Sequence, residues 1–115
     1  MKKIIIIAIV SVLAAIAYFI LSGKSAPFSA VPETHFVAIE NYAFSPAEIT
    51  IKSGDRVVWE NKDSTGHTVT SDGGSFDSGL FGNGLKFERT FDSAGIFPYH
   101  CIPHPQMTGT VTVIE

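Results

Sequence analysis

Near the C-terminus the chain reads Tyr99-His100-Cys101-Ile102-Pro103-His104-Pro105-Gln106-Met107, and a separate histidine stands far upstream in Gly66-His67-Thr68. Cys101, His104 and Met107 form a Cys-x2-His-x2-Met series, with His67 as a distant fourth donor. A thiolate, two imidazoles and a long, weak thioether bond make up the donor set of a blue-copper electron-transfer centre. A closed structural zinc site takes four Cys or His donors instead, and a thioether suits a hard or borderline divalent ion poorly. Copper is the metal this set fits.

Each of these residues has a plainer use when taken alone. A lone Met is most often core filler, a lone Cys a small buried hydrophobe, and a loop His a surface residue. Met107, however, is the sole methionine besides the initiator, and Cys101 is the sole cysteine. The coincidence of four positions on a β frame favours a metal centre. His35, at the entry to the first expected strand, reads as structural. So does His100, which alternation turns to the face opposite Cys101. Two other functions compete. A copper trafficking or scavenging module could use the same ligands without redox duty; an intense thiolate-to-copper absorption with fast electron exchange would separate a carrier from it. A Cys-His hydrolase would need Cys101 as nucleophile, but no third orienting residue and no oxyanion loop is recognisable.

The elements that must position these donors are strands. Apolar-polar alternation recurs over 34–40, 48–52, 55–61, 67–71, 85–91, 95–101 and 109–114, and period two is the strand signature. Ser53-Gly54-Asp55, Asp72-Gly73-Gly74, Gly82-Asn83-Gly84 and Ser93-Ala94-Gly95 separate them as turns. Val57 with Trp59, Leu85 with Phe87 and Phe91, Phe97 with Tyr99, and Val111 with Val113 are the positions expected to face inward. No segment after residue 24 has a helical period. Some seven short strands in about 82 residues indicate an all-β fold, a β-sandwich or small Greek-key barrel.

The N-terminus is different. From Ile4 to Leu21 only Ser11 and Tyr18 carry a polar group, and Lys2 and Lys3 precede the run. As a helix these 18 residues would span about 27 Å, close to the hydrocarbon thickness of a bilayer. A signal peptide would end in a small-x-small site, of which Ala15-Ile16-Ala17 is the best, yet the apolar run continues past it to Leu21. The expectation is therefore an uncleaved membrane anchor in residues 1–24, with secretion after signal cleavage as the alternative. Residues 25–33, within a stretch rich in Ser, Ala, Pro and Gly, read as a flexible linker, and 34–115 as the folded domain. Lys2 and Lys3 keep the N-terminus inside, so either reading places the domain outside the cytoplasmic membrane, periplasmic or on the cell surface. Setting aside Lys2, Lys3 and Lys24 leaves five basic against eleven acidic residues, a net charge of −6. That balance, with no basic stripe, excludes nucleic acid as a partner.

With those residues in view, the domain resembles the cupredoxins, the type 1 copper proteins of the plastocyanin and amicyanin kind. The short Cys101-x2-His104-x2-Met107 loop is most like that of amicyanin. Asn41-Tyr42-Ala43-Phe44-Ser45-Pro46, then Ile49-Thr50-Ile51 and Gly54-Asp55, resemble the family's opening strands, and Val58-Trp59-Glu60-Asn61 its third. The resemblance implies an eight-stranded Greek-key sandwich with one copper ion at one end, held by His67, Cys101, His104 and Met107. It implies a monomeric carrier of single electrons, not an enzyme, that cycles Cu(II)/Cu(I) between a donor and an acceptor redox protein. Docking is expected near His104, whose ring edge should reach an apolar rim that includes Pro103 and Pro105. Family members often carry Pro before the first His and Asn after it, where this chain has Gly66 and Thr68. The Asn helps to tie the two ligand loops together, so the Thr68 hydroxyl is the expected shorter substitute. Pro103 has no N–H to give, which leaves a donor near Thr68 as the main hydrogen bond to the cysteine sulfur.

Overall fold

Alternating β-branched, aromatic and polar residues run along most of the chain after residue 33, and this pattern suits a pleated surface buried on one side. A computed structural model describes residues 31–115, of which Pro32–Glu115 form a compact unit. Eight strands occur: β1 (Thr34–Glu40), β2 (Ala43–Ser45), β3 (Glu48–Lys52), β4 (Arg56–Asn61), β5 (Thr70–Ser71), β6 (Lys86–Thr90), β7 (Gly95–His100) and β8 (Thr108–Ile114). They make two four-stranded sheets, ordered β2-β1-β4-β6 and β3-β8-β7-β5. Two pairs are parallel, β1 with β4 (Val37 opposite Trp59) and β3 with β8 (Ile49 opposite Val111), and the others are antiparallel.

The core lies between the sheets. Val37, Ile39, Val57 and Trp59 come to it from one sheet, and Ile51, Tyr99, Val111 and Val113 from the other. Trp59 is its centre, with the rings of Tyr99, Phe87, Phe76 and Phe91 at 5.5, 5.6, 6.2 and 6.5 Å. Aromatic pairs at such separations add roughly 0.5–1.5 kcal/mol each beyond the area they bury. Opposite Tyr99 on β8 is Gly109, where a Cβ would lie 2.3 Å from the Tyr99 Cζ. Only glycine admits the phenol at that crossing. Burial in these apolar surroundings pushes the Tyr99 hydroxyl up to about 12.

Three expectations change. Leu85 is exposed rather than inward, at 59%. Its N–H bonds the Gly82 carbonyl in a turn, and β6 begins one residue later. The expected strand over 67–71 contracts to Thr70–Ser71, with His67 in an isolated bridge to Phe81. The short strand β2 adds an element that the alternation did not announce. The anchor or signal helix expected in residues 1–24 lies outside the described residues. Among the described residues no helix is long and apolar enough to cross a membrane.

Candidate metal centre

β7 delivers Cys101 one residue past its end, and β8 starts at Thr108, so the six residues after Cys101 must double back. Three backbone hydrogen bonds close that loop: His104 N–H to the Cys101 carbonyl, Met107 N–H to the His104 carbonyl, and Cys101 N–H to the Met107 carbonyl. Cys101 and Met107 are thereby fixed side by side and buried, while His104 is half-buried between the exposed Pro103 and Pro105. On the second loop, His67 is fixed by a two-way backbone pair with Phe81. Cys101 Sγ lies 3.6 Å from His67 Nδ1 and 3.6 Å from His104 Nδ1.

These separations test whether a metal fits. An ion about 2.3 Å from a thiolate and about 2.0 Å from an imidazole nitrogen, at angles between tetrahedral and trigonal, sets sulfur and nitrogen roughly 3.5–3.7 Å apart. The 3.6 Å spacing matches on both sides. The thiolate softness, two imidazoles and a neighbouring Met107 fit copper.

The surroundings orient the donors. The Asp63 carboxylate accepts from His67 Nε2 at 2.8 Å. That places the ring proton on Nε2 and leaves the Nδ1 lone pair facing the sulfur. Asp63 also accepts the N–H groups of Asn41 (2.8 Å) and Tyr42 (3.0 Å). Desolvation works to raise its pKa, but hydrogen bonds from Tyr42 N–H, the His67 ring and Asn41 N–H together hold it below the ordinary carboxylate value. Thr68 N–H points at Cys101 Sγ at 3.4 Å. The Thr68 hydroxyl accepts from Ile102 N–H at 2.8 Å, so it makes the tie between the two loops. Buried Asn61 completes the brace, giving its amide to the Thr65 and Phe81 carbonyls and accepting from Asp63 N–H.

Sequence reasoning did not find Asn61, Asp63, Tyr42 or Leu80. Tyr42, 48% exposed, stands edge-on to the rings of His67 and His104, with centroids 5.3 and 5.0 Å away. Leu80, exposed, covers Gly66: a Cβ there would lie 3.1 Å from Leu80 Cγ. Asp63 had a usable signal, an acid four residues before a ligand-type histidine. Ile102, Pro103 and Pro105, the loop neighbours of His104, are exposed, as are Leu80 and Tyr42, and the Tyr42 ring lies directly against that of His104.

His100 and His35 are structural, as expected. His100 Nδ1 bonds Asp72 on the outside of β7. His35 Nε2 lies 3.0 Å from Asp55 Oδ2, with Glu33 close by, which gathers a second His-acid group. There the Asp55 oxygens are already taken by Glu33 N–H, Lys52 N–H and His35. These bonds hold the carboxyl at about 2.

The sequence pattern of the copper binding proteins, plastocyanin/azurin family, matches residues 34–114. Amicyanin of Paracoccus denitrificans is 37% identical over 67% of this chain and 63% of its own length. Plastocyanin of Scenedesmus fuscus is 34% identical over 61% of this chain and 85% of its own. The chain spans somewhat under two thirds of the two Paracoccus amicyanins it matches, 63% and 62%. Among solved structures, a Cu(I) form of an amicyanin mutant superposes with a TM-score of 0.67 at 29% identity, covering 70% of this chain and 82% of that one. A purple cupredoxin from Nitrosopumilus maritimus gives 0.64 at 30%, over 70% and 99%. The strand order, the paired ligand loops and these matches together show that the chain belongs to the plastocyanin/azurin family of copper-binding proteins.

Proposed function

We propose that this protein carries single electrons through one type 1 copper ion, which His67, Cys101 and His104 would hold, with the Met107 thioether as a weaker donor. The observation that carries the reading is the buried sulfur held equidistant from two imidazole nitrogens, with one of those rings locked by Asp63. Copper in that pocket supplies a one-electron couple between Cu(II) and Cu(I). The chain's own part is to keep the donors still. Asn61, Asp63 and Thr68 brace the loops, and rigid donors lower the rearrangement that accompanies a change of charge. Thr68 N–H stabilises negative charge on the sulfur. The His104 edge, beside the exposed Ile102, Pro103 and Pro105, is the place where an electron leaves or enters, and a small contact of this kind suits partners that dock and separate quickly. The partners on this reading are a donor and an acceptor redox protein.

The domain is taken to be residues 34–115, working outside the cytoplasmic membrane on an anchor at residues 4–21 and a linker at 25–33. The Lys2-Lys3 flank and the long apolar run support that placement.

The hydrolase alternative gains one feature and loses a larger one. Asp63 supplies the orienting acid that sequence reading lacked, so Cys101, His67 and Asp63 lie in series. Yet Cys101 is 0% exposed, and no acyl group can reach its sulfur. Adding one equivalent of Cu(II) to the full-length protein should give an intense visible thiolate band that ascorbate bleaches and ferricyanide restores. Copper that binds without that band would refute the carrier reading.

A further inference from the structure

The turn between β1 and β2 holds the one conspicuous backbone cost in the described domain. Asn41 and Tyr42 are consecutive non-glycine residues in the left-handed region, at φ 54° and 56°. This conformation is unfavourable for an L-residue, and Asn bears it better than Tyr does. Glycine would bear it without strain. Three things hold the turn there. Asp63 accepts both N–H groups, the same carboxylate accepts from His67, and the Tyr42 hydroxyl bonds Thr65 Oγ1 at 2.9 Å. The result is a half-exposed phenol ring set nearly perpendicular to both imidazoles, at 89° and 87°. The two imidazoles themselves lie 5.0 Å apart.

We infer that Tyr42 is a positioning residue for the metal centre. Resting on the copper reading above, its ring is a third restraint, from a third loop, on the two histidines. The loops carrying His67 and His104 fix where each ring starts, but neither loop fixes one ring against the other. Tyr42 touches both. It prevents the rings from rotating apart and covers the side of the centre that faces the β1–β2 turn, where water would otherwise reach the nitrogen donors. The strained turn is the means by which the fold brings an aromatic ring to that place.

The strain supplies the test, because Tyr42→Gly removes the ring while relieving the backbone. Full-length wild type, Tyr42→Gly and Tyr42→Phe are loaded with copper. The readouts are melting temperature, visible and EPR spectra, and the stopped-flow rate of oxidation of the reduced protein by ferricyanide. Tyr42→Gly should melt close to wild type, yet show altered copper hyperfine splitting and react about ten-fold more slowly, the scale on which orienting groups act. Tyr42→Phe, which keeps the ring and loses only the Thr65 bond, should restore the wild-type spectrum and rate. Should glycine unfold the turn, Tyr42→Asn deletes the ring with a residue that tolerates this φ. A ring-deleted variant with wild-type spectra and rate would overturn the inference, and so would a Tyr42→Phe as slow as Tyr42→Gly. A wild-type protein that forms no thiolate-copper band would instead defeat the copper reading itself, before any variant is compared.

Discussion

Two clusters in this domain have similar inventories and opposite uses. His67, Cys101 and His104 meet at one, and Glu33, His35 and Asp55 at the other. In the second, the aspartate lone pairs are spent on backbone N–H groups and a ring nitrogen, so the cluster latches the start of β1 to the β3–β4 turn. In the first, the partners approach from behind. Asp63 takes the outer nitrogen of His67, and the inner nitrogens of both rings face the sulfur. What separates a metal centre from a structural ion pair is which lone pairs the fold leaves pointing inward. A count of His, Cys and acids does not register that.

The comparison breaks most sharply at Cys101. Cys101→Ser should abolish the visible thiolate band outright while circular dichroism shows the sandwich intact, because serine nearly keeps the volume of Cys101 in the core cluster and the aromatic packing around Trp59 is untouched. A variant retaining an intense band would show that the donor lies elsewhere.

At the other cluster the effect should be reversed: Asp55→Asn should lower the melting temperature and leave the copper spectrum unchanged. An amide keeps one acceptor oxygen, so its NH2 must face either the Glu33 N–H or the Lys52 N–H, where an acceptor is needed. The pH dependence sharpens this. Asp55 titrates near 2 in the folded chain and near 3.8 when unperturbed, so its stabilisation is complete above about pH 4 and disappears as pH falls toward 2. Melting of the two apo proteins from pH 6 down to pH 2 should therefore show a gap that closes at the acid end. A constant gap would mean that Asp55 acts through packing.

Thr68→Val tests the tie between the ligand loops. The change strands the Ile102 N–H and should cost about 1 kcal/mol, read from denaturant unfolding of the apo protein. Thr68 N–H still reaches the sulfur, so the band should persist. Unchanged stability would show that the bond from Ile102 N–H to Thr68 Oγ1 does not hold the loops together.

The smallest effect is expected at Pro103. Pro103→Ala restores an N–H near the sulfur, and a donor there favours the electron-rich Cu(I) state. The reduction potential should rise in an equilibrium titration at fixed pH, and an unchanged or lower value would remove Pro103 from the tuning of the site.

Much of this was legible in the sequence. Period-two alternation located the strands of the core, because burial on one face of a strand is a local pattern. The Cys-x2-His-x2-Met series was legible because three donors share one short loop, and Thr68 because it flanks His67. Leu85 was misread because alternation runs unbroken into a turn, where the Gly82 carbonyl and not the sheet takes its N–H. Asp63 had a legible spacing to His67, but its hold on the Asn41-Tyr42 turn, like the roles of Tyr42 and Asn61, was missed for a different reason. Their roles depend on contacts across some 20 residues of chain, as between Asp63 and the Asn41-Tyr42 turn, and no spacing rule announces such contacts.

The parallel pairing of β3 with β8 bears on how the protein is born. Residues 48–52 have no partner on that side until residues 108–114 exist, so the second sheet cannot close on a growing chain. Pairings this distant in sequence also form slowly. Met107 abuts β8, and its loop back to Cys101 is set only when that last strand docks. The pairing of β8 with β3 and β7 is therefore what gives the Cys101–Met107 loop its form.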